Sequence, residues 1–322
     1  MSILRDSVVL ITGGTGSFAL DAIPALSRLG PREIRAVAHG EYGLFLARQA
    51  LSDYRVNWQM ADIRDAGRTR QVMQGVDFCI HAAALKQIPV CEQFPLEAIQ
   101  TNVLGTANVV QSARAAGVRC LVSLSADKAA YPVTTYGATK LLSEALVASA
   151  NDDPSHRFIS LRYSNVLGSR GSVLEIFHRQ ISMGEPLRVF GANMTRFFLT
   201  QTDVIQLCLD AFERAAGGEV LVRETRPVRI ADLAACVVER AGQGSVMVQD
   251  AAEAHERLDA VLLTSAESRQ AVRHEDLLIV NRLGREHGWQ PAEKVEVRDY
   301  TAEDYVPLER SEIVELLAKL GQ

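Results

Sequence analysis

Residues 125 to 140 read SADKAAYPVTTYGATK, with Tyr136 and Lys140 one helical turn apart and Asp127 and Lys128 a short way upstream. A tyrosine carries protons usefully near neutrality only if its pKa of about 10 is lowered, and a lysine on the same helix face can do this. The phenolate then takes a proton from an alcohol as hydride leaves for an acceptor. The same spacing is common on helix surfaces, and an Asp-Lys dipeptide is usually a surface ion pair. Both become informative only if a strand aims them at a bound cofactor. Ala126, just before the charged pair, brings no hydroxyl.

The elements that must do the aiming are legible. Short β-branched runs (SVVLIT, EIRAVA, VNWQMAD, VDFCIHAA, RCLVSLS, RFISLRYSN) alternate with helical patterns and make six strands by about residue 163. This alternation predicts an α/β fold: a doubly wound parallel sheet of Rossmann type with helices on both faces. Beyond it the texture changes to Gly-, Arg- and Ser-rich loops and shorter elements. We expect residues 1–170 and 197–223 to form a dinucleotide-binding domain, and 171–196 and 224–322 a smaller substrate-binding region over the carboxyl ends of the strands. Residues 239–257 are the least readable segment and are expected to be a mobile loop.

VVLITGGTGSFA joins the first strand to the first helix through Gly13, Gly14 and Gly16, with Ala19 at the third glycine position of a dinucleotide fingerprint. Glycine lets the backbone approach a pyrophosphate, and the helix amino terminus supplies N–H donors and the positive dipole end. Asp62 closes the third strand, where an adenine edge would lie, and HAAALK closes the fourth with small residues. The second strand ends AVAHG, with no carboxylate for a ribose 2′-hydroxyl and with His39, Arg35 and Arg48 near in sequence. That favours NADP, with NAD the alternative.

The whole chain agrees with a small ligand. Its 322 residues can bury a large core, 48% are apolar and 23% charged, and a formal charge of −5 offers no polybasic surface for nucleic acid. Cys79, Cys91, Cys120, Cys208 and Cys236 lack metal-ligand spacing, and no histidine pairing suggests a metal site. The amino-terminal run is too short to span a membrane and lacks a signal-peptide pattern. A cytoplasmic protein is expected.

Between the first strand and about residue 200 the chain resembles the extended short-chain dehydrogenase/reductases. More narrowly, it is similar to the inverting UDP-N-acetylglucosamine 4,6-dehydratases of polysaccharide biosynthesis. The stretches that carry the resemblance are ITGGTGSF, HAAALKQIPVCEQFPLEAIQTNVLGTANVV, SADKAAYPVTTYGATKLLSE, RYSNVLGSRGSV and MTRFFLT. It implies a homo-oligomer acting on a nucleotide sugar: oxidation at carbon 4, loss of water across carbons 5 and 6, and return of the hydride to carbon 6. Tyr136 would be the base at the carbon-4 hydroxyl, Lys140 its partner, Lys128 the base at carbon 5 and Asp127 the acid at carbon 6. The implied cofactor contacts are Gly13, Thr15, Gly16, Ser17, Phe18, His39, Asp62, Ile63, Ala82, Ala83, Ala84, Lys86, Asn102, Tyr136, Lys140, Tyr163, Asn165 and Val166. The implied substrate contacts are Lys86, Asn165, Ser172, Val173, Thr195, Arg196 and Arg257.

Two positions depart from the family pattern. Ala126 stands where members carry Thr or Ser to hold the carbon-4 oxygen, and Ser125 should point to the opposite side of the strand. Glu253 and Ala254 align with the arginine and proline of a diphosphate-binding motif, leaving Arg257 or Arg196 to replace the cation. A nucleotide-sugar epimerase or ketoreductase would keep Tyr136 and Lys140 without needing Lys128. A cofactor-sensing protein without turnover would need neither.

Overall fold

The computed structural model describes residues 2–249, 259–286 and 288–320. β1 (Val8–Thr12), β2 (Glu33–Ala38), β3 (Val56–Met60), β4 (Phe78–His81), β5 (Cys120–Ala126) and β6 (Arg157–Tyr163) are the six expected strands, and all pair in parallel. Glu219–Arg223 adds a further parallel strand beside β6. The ten-stranded sheet runs Glu293–Lys294, Ala271–His274, Leu277–Asn281, Glu219–Arg223, β6, β5, β4, β1, β2, β3. Its strand order reverses between β4 and β1, which puts the ligand crevice at their carboxyl ends.

Both faces are covered, so β1, β4 and β5 are continuously buried rather than alternating. One core layer packs Ile11, Ile80 and Val122 against Phe18 and Ile23 of α1 (Ser17–Ser27) and Phe212 of the helix Gln201–Arg214. The other packs Leu10 and Leu121 against Val109 and Val147, from the helices Gly105–Ala115 and Thr135–Ser149. A separate cluster around Phe177, Leu187, Leu233 and Ile313 holds the region beyond the sheet together.

Two expectations are revised. Strands 271–274, 277–281 and 293–294 extend the central sheet, although the reading from sequence assigned everything after 224 to the substrate region. Their antiparallel pairing lets short hairpin turns do what a parallel strand needs a helical crossover to do, so no βα alternation announces them. Within the segment read as a loop, Val246–Gln249 is a strand, paired in parallel with Leu187–Phe190; residues 250–258 lie outside the described structure. No helix among the described residues is long and apolar enough to cross a membrane.

Candidate active site

A cavity of about 930 Å³ opens at the carboxyl ends of the strands, bounded by the glycine turn, the ends of β4, β5 and β6, and the region beyond the sheet. The glycine turn is held by close approach. A Cβ on Gly13 would lie 2.9 Å from the Ala83 nitrogen, and one on Gly14 would lie 2.9 Å from the Ala36 Cβ. Gly13 also has φ +70°, a conformation side chains disfavour. Gly16 caps α1 without any side-chain hydrogen bond, so the first-turn N–H groups face the cavity mouth as an anion site.

A buried polar chain fixes the floor of the turn. Thr12 Oγ1 accepts from the Ala82 and Ala83 N–H groups at 3.2 Å, which leaves its proton for His81 Nδ1 at 2.7 Å. The ring proton therefore sits on Nε2, 2.9 Å from Thr106 Oγ1, whose own hydrogen goes to the Asn102 carbonyl at 2.6 Å. Burial, helped by Lys140, pushes His81 down to about 3, so the ring is neutral. Asn102 is fully engaged as well: it accepts from Leu85 N–H at 2.8 Å and donates to the Leu85 carbonyl at 2.9 Å. It lies within the π-helical turn Ile99–Leu104 and holds the loop after β4 from behind.

β5 delivers the reactive group. Ala126 ends the strand, and Asp127 and Lys128 begin a 3₁₀ turn, where Lys128 Nζ donates to Asp127 Oδ1 at 3.0 Å. Asp127 is 5% and Lys128 29% exposed at the side chain, which places the ammonium on the cavity side of a buried carboxylate. The helix carrying Tyr136 can approach this turn because of Gly137, where a Cβ would fall 2.3 Å from the Lys128 carbonyl oxygen. Thr134 Oγ1 caps that helix by accepting from Gly137 N–H at 3.0 Å, and Glu92 receives both the N–H and the hydroxyl of Thr135, at 2.6 and 3.0 Å.

Tyr136 and Lys140 are both buried on one helix. Burial, with Tyr163 and Asp127 adding to it, raises the Tyr136 phenol well above its ordinary range. Lys140 Nζ donates to the Leu124 carbonyl at 2.7 Å and lies 6.0 Å from the Tyr136 ring centre. Burial lowers this ammonium to about 8, against the pull of Glu144. Positive charge brought into the cavity, such as that of an oxidised nicotinamide, would lower the phenol.

Of the residues expected from sequence, Gly13, Gly16, Ser17, Phe18, Ala82, Ala84, Lys86, Asp127, Lys128, Tyr136, Tyr163, Asn165, Val166, Ser172, Val173 and Arg196 line one cavity. Thr15, Ala83, Asn102 and Lys140 form its second layer through the contacts described, and Thr195 adjoins Arg196 with its Oγ1 lacking a hydrogen-bond partner. His39 and Asp62 neighbour each other at the β2–β3 edge, next to Ile63; Arg64 holds the Asp62 carboxylate at 2.7 Å and keeps it well ionised. Arg35 is removed from the cofactor question because its guanidinium binds Glu33 and the carbonyls of Val72 and Gln74. Arg257, Glu253 and Ala254 lie outside the described residues.

Sequence reasoning missed several wall residues. Arg170 reaches back across the cavity to the glycine turn, donating through its side chain to the Thr15 carbonyl and through its backbone N–H to Ser17 Oγ at 3.0 Å. Ser164, Arg188 and Glu92 also line the cavity. RYSNVLGSRGSV was the available signal for Ser164 and Arg170; nothing in the sequence pointed to Arg188. The charged wall residues are Lys86, Lys128, Arg170, Arg188 and Arg196 against Glu92 and Asp127, a cationic site on a chain of net charge −5.

A Rossmann sheet with a glycine turn, a Tyr-Lys pair on the helix after β5 and a cationic cavity at the switch point defines an extended short-chain dehydrogenase/reductase. Residues 9–282 match the family described as polysaccharide biosynthesis protein, and the chain belongs to it. The UDP-N-acetylglucosamine 4,6-dehydratase (inverting) of Campylobacter jejuni is 34% identical over 85% of this chain and 82% of its own. The UDP-glucose 4-epimerase of Rickettsia canadensis is 40% identical over 71% of this chain and 69% of its own. The crystal structure of Pen from Bacillus thuringiensis superposes with a TM-score of 0.93 at 30% identity, covering 99% of both chains. The protein is thus an enzyme of the nucleotide-sugar dehydratase and epimerase group.

Proposed function

We infer that the protein is a nucleotide-sugar 4,6-dehydratase acting on UDP-N-acetylglucosamine or a close relative, with tightly held NAD(P). The observation that carries this reading is the Asp127–Lys128 pair on the same cavity wall as Tyr136. Removing and returning a hydride at carbon 4 uses Tyr136 alone among the proton carriers. A second acid–base pair is what elimination of water requires.

The residues fit a dinucleotide: the glycines let the turn sit close against Ala83 and Ala36, Gly13 and Gly16 line the cavity, and the start of α1, with no side-chain cap, offers a diphosphate N–H donors. Gly16, Ser17, Lys86 and Arg170 would hold the diphosphate, and Tyr163 and Asn165 would flank the nicotinamide end. When bound, the dinucleotide supplies the hydride acceptor. Tyr136 would hold the proton of the carbon-4 hydroxyl; with the proton that the pair shares resting on Asp127, the free Lys128 amine would accept the proton from carbon 5 once carbon 4 is a ketone, and Asp127 would deliver its own to the departing carbon-6 hydroxyl, leaving the ion pair. One water leaves and no net oxidation occurs. Arg188 and Arg196, which line the cavity, would receive the second diphosphate, that of the sugar nucleotide. With no carboxylate at the end of β2 and Arg35 turned away, His39 is what would distinguish NADP from NAD.

Incubation with UDP-N-acetylglucosamine, then with UDP-glucose, UDP-glucuronate and GDP- or CDP-sugars, followed by mass spectrometry, tests the reaction type. A product lighter by one water, whose ketone exchanges oxygen with heavy-oxygen water, is expected. An isobaric product instead establishes epimerisation. Lys128→Ala should still reduce the cofactor on mixing with substrate while eliminating water about 10²-fold more slowly.

A further inference from the structure

Oxidation of an alcohol needs two groups at its oxygen: a base for the proton, and a donor for the negative charge the oxygen carries on its way to a ketone. Tyr136 is the first. Ala126, packed with Cys91, Ala98 and the Tyr136 ring, has no hydroxyl to be the second. Ser125 points away from the cavity and donates to Glu144 Oε1 at 2.7 Å.

The neighbouring strand brings one to the same place. β6 pairs with β5 so that Tyr163 stands opposite Ala126, and the chain leaves the sheet at the next residue, Ser164. Ser164 is 8% exposed, its Oγ has no hydrogen-bond partner, and it lines the same cavity as Ala126, Asp127, Lys128 and Tyr136. Thr106, Thr139 and Ser143 show the usual state of a buried hydroxyl here, each donating to a backbone carbonyl at 2.6 to 2.8 Å, whereas Ser172, Thr195 and Thr225 share the unpartnered state of Ser164. An unsatisfied hydroxyl in a buried wall is uncommon enough to need a reason. Rotation about one single bond moves Oγ between staggered positions, so the wall residue can present its proton to a bound molecule without any backbone change.

We propose that Ser164 is a catalytic residue that donates a hydrogen bond to the sugar oxygen undergoing oxidation, the contact Ala126 does not provide. The proposal rests on the nucleotide-sugar reading but holds for either fate of the ketone, because dehydration and epimerisation both begin with oxidation at carbon 4. The tests are Ser164→Ala, Ala126→Ser and the double variant, read by cofactor reduction in a single turnover, by steady-state kcat and KM, by product mass, and by titration with UDP and with NAD(P). Ser164→Ala should lower the rate of cofactor reduction by about 10²-fold, with UDP and dinucleotide affinities and the melting temperature unchanged. Restoring a hydroxyl from the other strand should recover at least about tenfold of that loss in the double variant.

Unchanged cofactor reduction in Ser164→Ala overturns the proposal and leaves the dehydratase reading standing. So does a loss accompanied by weaker dinucleotide binding that Ala126→Ser does not repair. A slow Ser164→Ala enzyme whose wild-type product is isobaric supports Ser164 and overturns the dehydratase reading. Wild-type protein that binds UDP but oxidises no nucleotide sugar overturns both.

Discussion

Two polar regions flank the ends of β5 and β6, and they differ in how much of their hydrogen-bonding capacity the protein itself uses. Behind the strands, fully buried Arg162 donates to Glu144 at 2.7 and 3.0 Å and to Glu267 at 2.6 and 2.9 Å, while Arg282 reaches both carboxylates and Ser125 donates to Glu144. In front, on the cavity side, Ser164 and Ser172 hold buried hydroxyls without a partner, and Lys128 turns one face of its ammonium to the cavity. Residue types alone would rank the first cluster as the more reactive, since it concentrates charge. Saturation makes it structural: the Arg162 guanidinium and the Ser125 hydroxyl already have their acceptors, and both carboxylates already have donors. The unsatisfied wall is where binding a polar molecule gains most, because burial of those hydroxyls has already taken place.

The largest effect that would break this contrast is on turnover. Tyr136→Phe keeps the ring that packs against Ala126 but removes the transferable proton, so kcat should fall by about 10²–10⁴-fold while the protein still copurifies with dinucleotide. Loss of the dinucleotide instead would make Tyr136 part of the structural set. Next is the cluster itself: Arg162→Met leaves Glu144 with Arg282 and Ser125, and Glu267 with Arg282 and the N–H and hydroxyl of Thr264, and urea denaturation should show a loss of about 3–5 kcal/mol.

The same cluster sets the acid limb of stability. Burial alone would raise Glu267, but the Arg162 guanidinium outweighs it and holds the carboxyl at about 2. Its stabilising contribution is therefore complete above the unfolded carboxyl pKa of about 4.3 and is lost as pH falls through that window toward 2. Lys140 has the opposite sign at the other end: lowered to about 8 by burial, it costs stability while charged, and that cost is relieved as pH rises above 8. Urea midpoints measured against pH should show the acid loss in wild type and a flatter limb in Arg162→Met.

The smallest effects sharpen the contrast most directly. Ser125→Ala removes a satisfied hydroxyl and should cost about 1 kcal/mol. Ser172→Ala removes an unsatisfied one, and stability should hold or rise slightly while KM for the nucleotide sugar increases about two- to tenfold. Equal destabilisation by both would show that the wall hydroxyls are structural too.

The sequence by itself determined the parallel sheet, the glycine turn and the reactive set, because these rest on local pattern: apolar runs of strand length, glycines required by backbone approach, and a Tyr-Lys spacing fixed by one helical turn. It also indicated that Ser125 points away from Ala126, since side chains alternate along a strand. What it could not determine were relations between residues distant in the chain. Gly137 looked like an ordinary helix residue until the Lys128 carbonyl was found against it, Arg170 meets the glycine turn from more than 150 positions away, and Arg162 needs Glu267 to become structural. The hairpin strands after 271 carried no alternation to announce them, and the hydrogen bond from Lys140 to the Leu124 carbonyl joins residues 16 positions apart. Hydrogen-bond saturation is a property of packed neighbours, and only the tertiary structure decided which of these polar side chains the fold had already used.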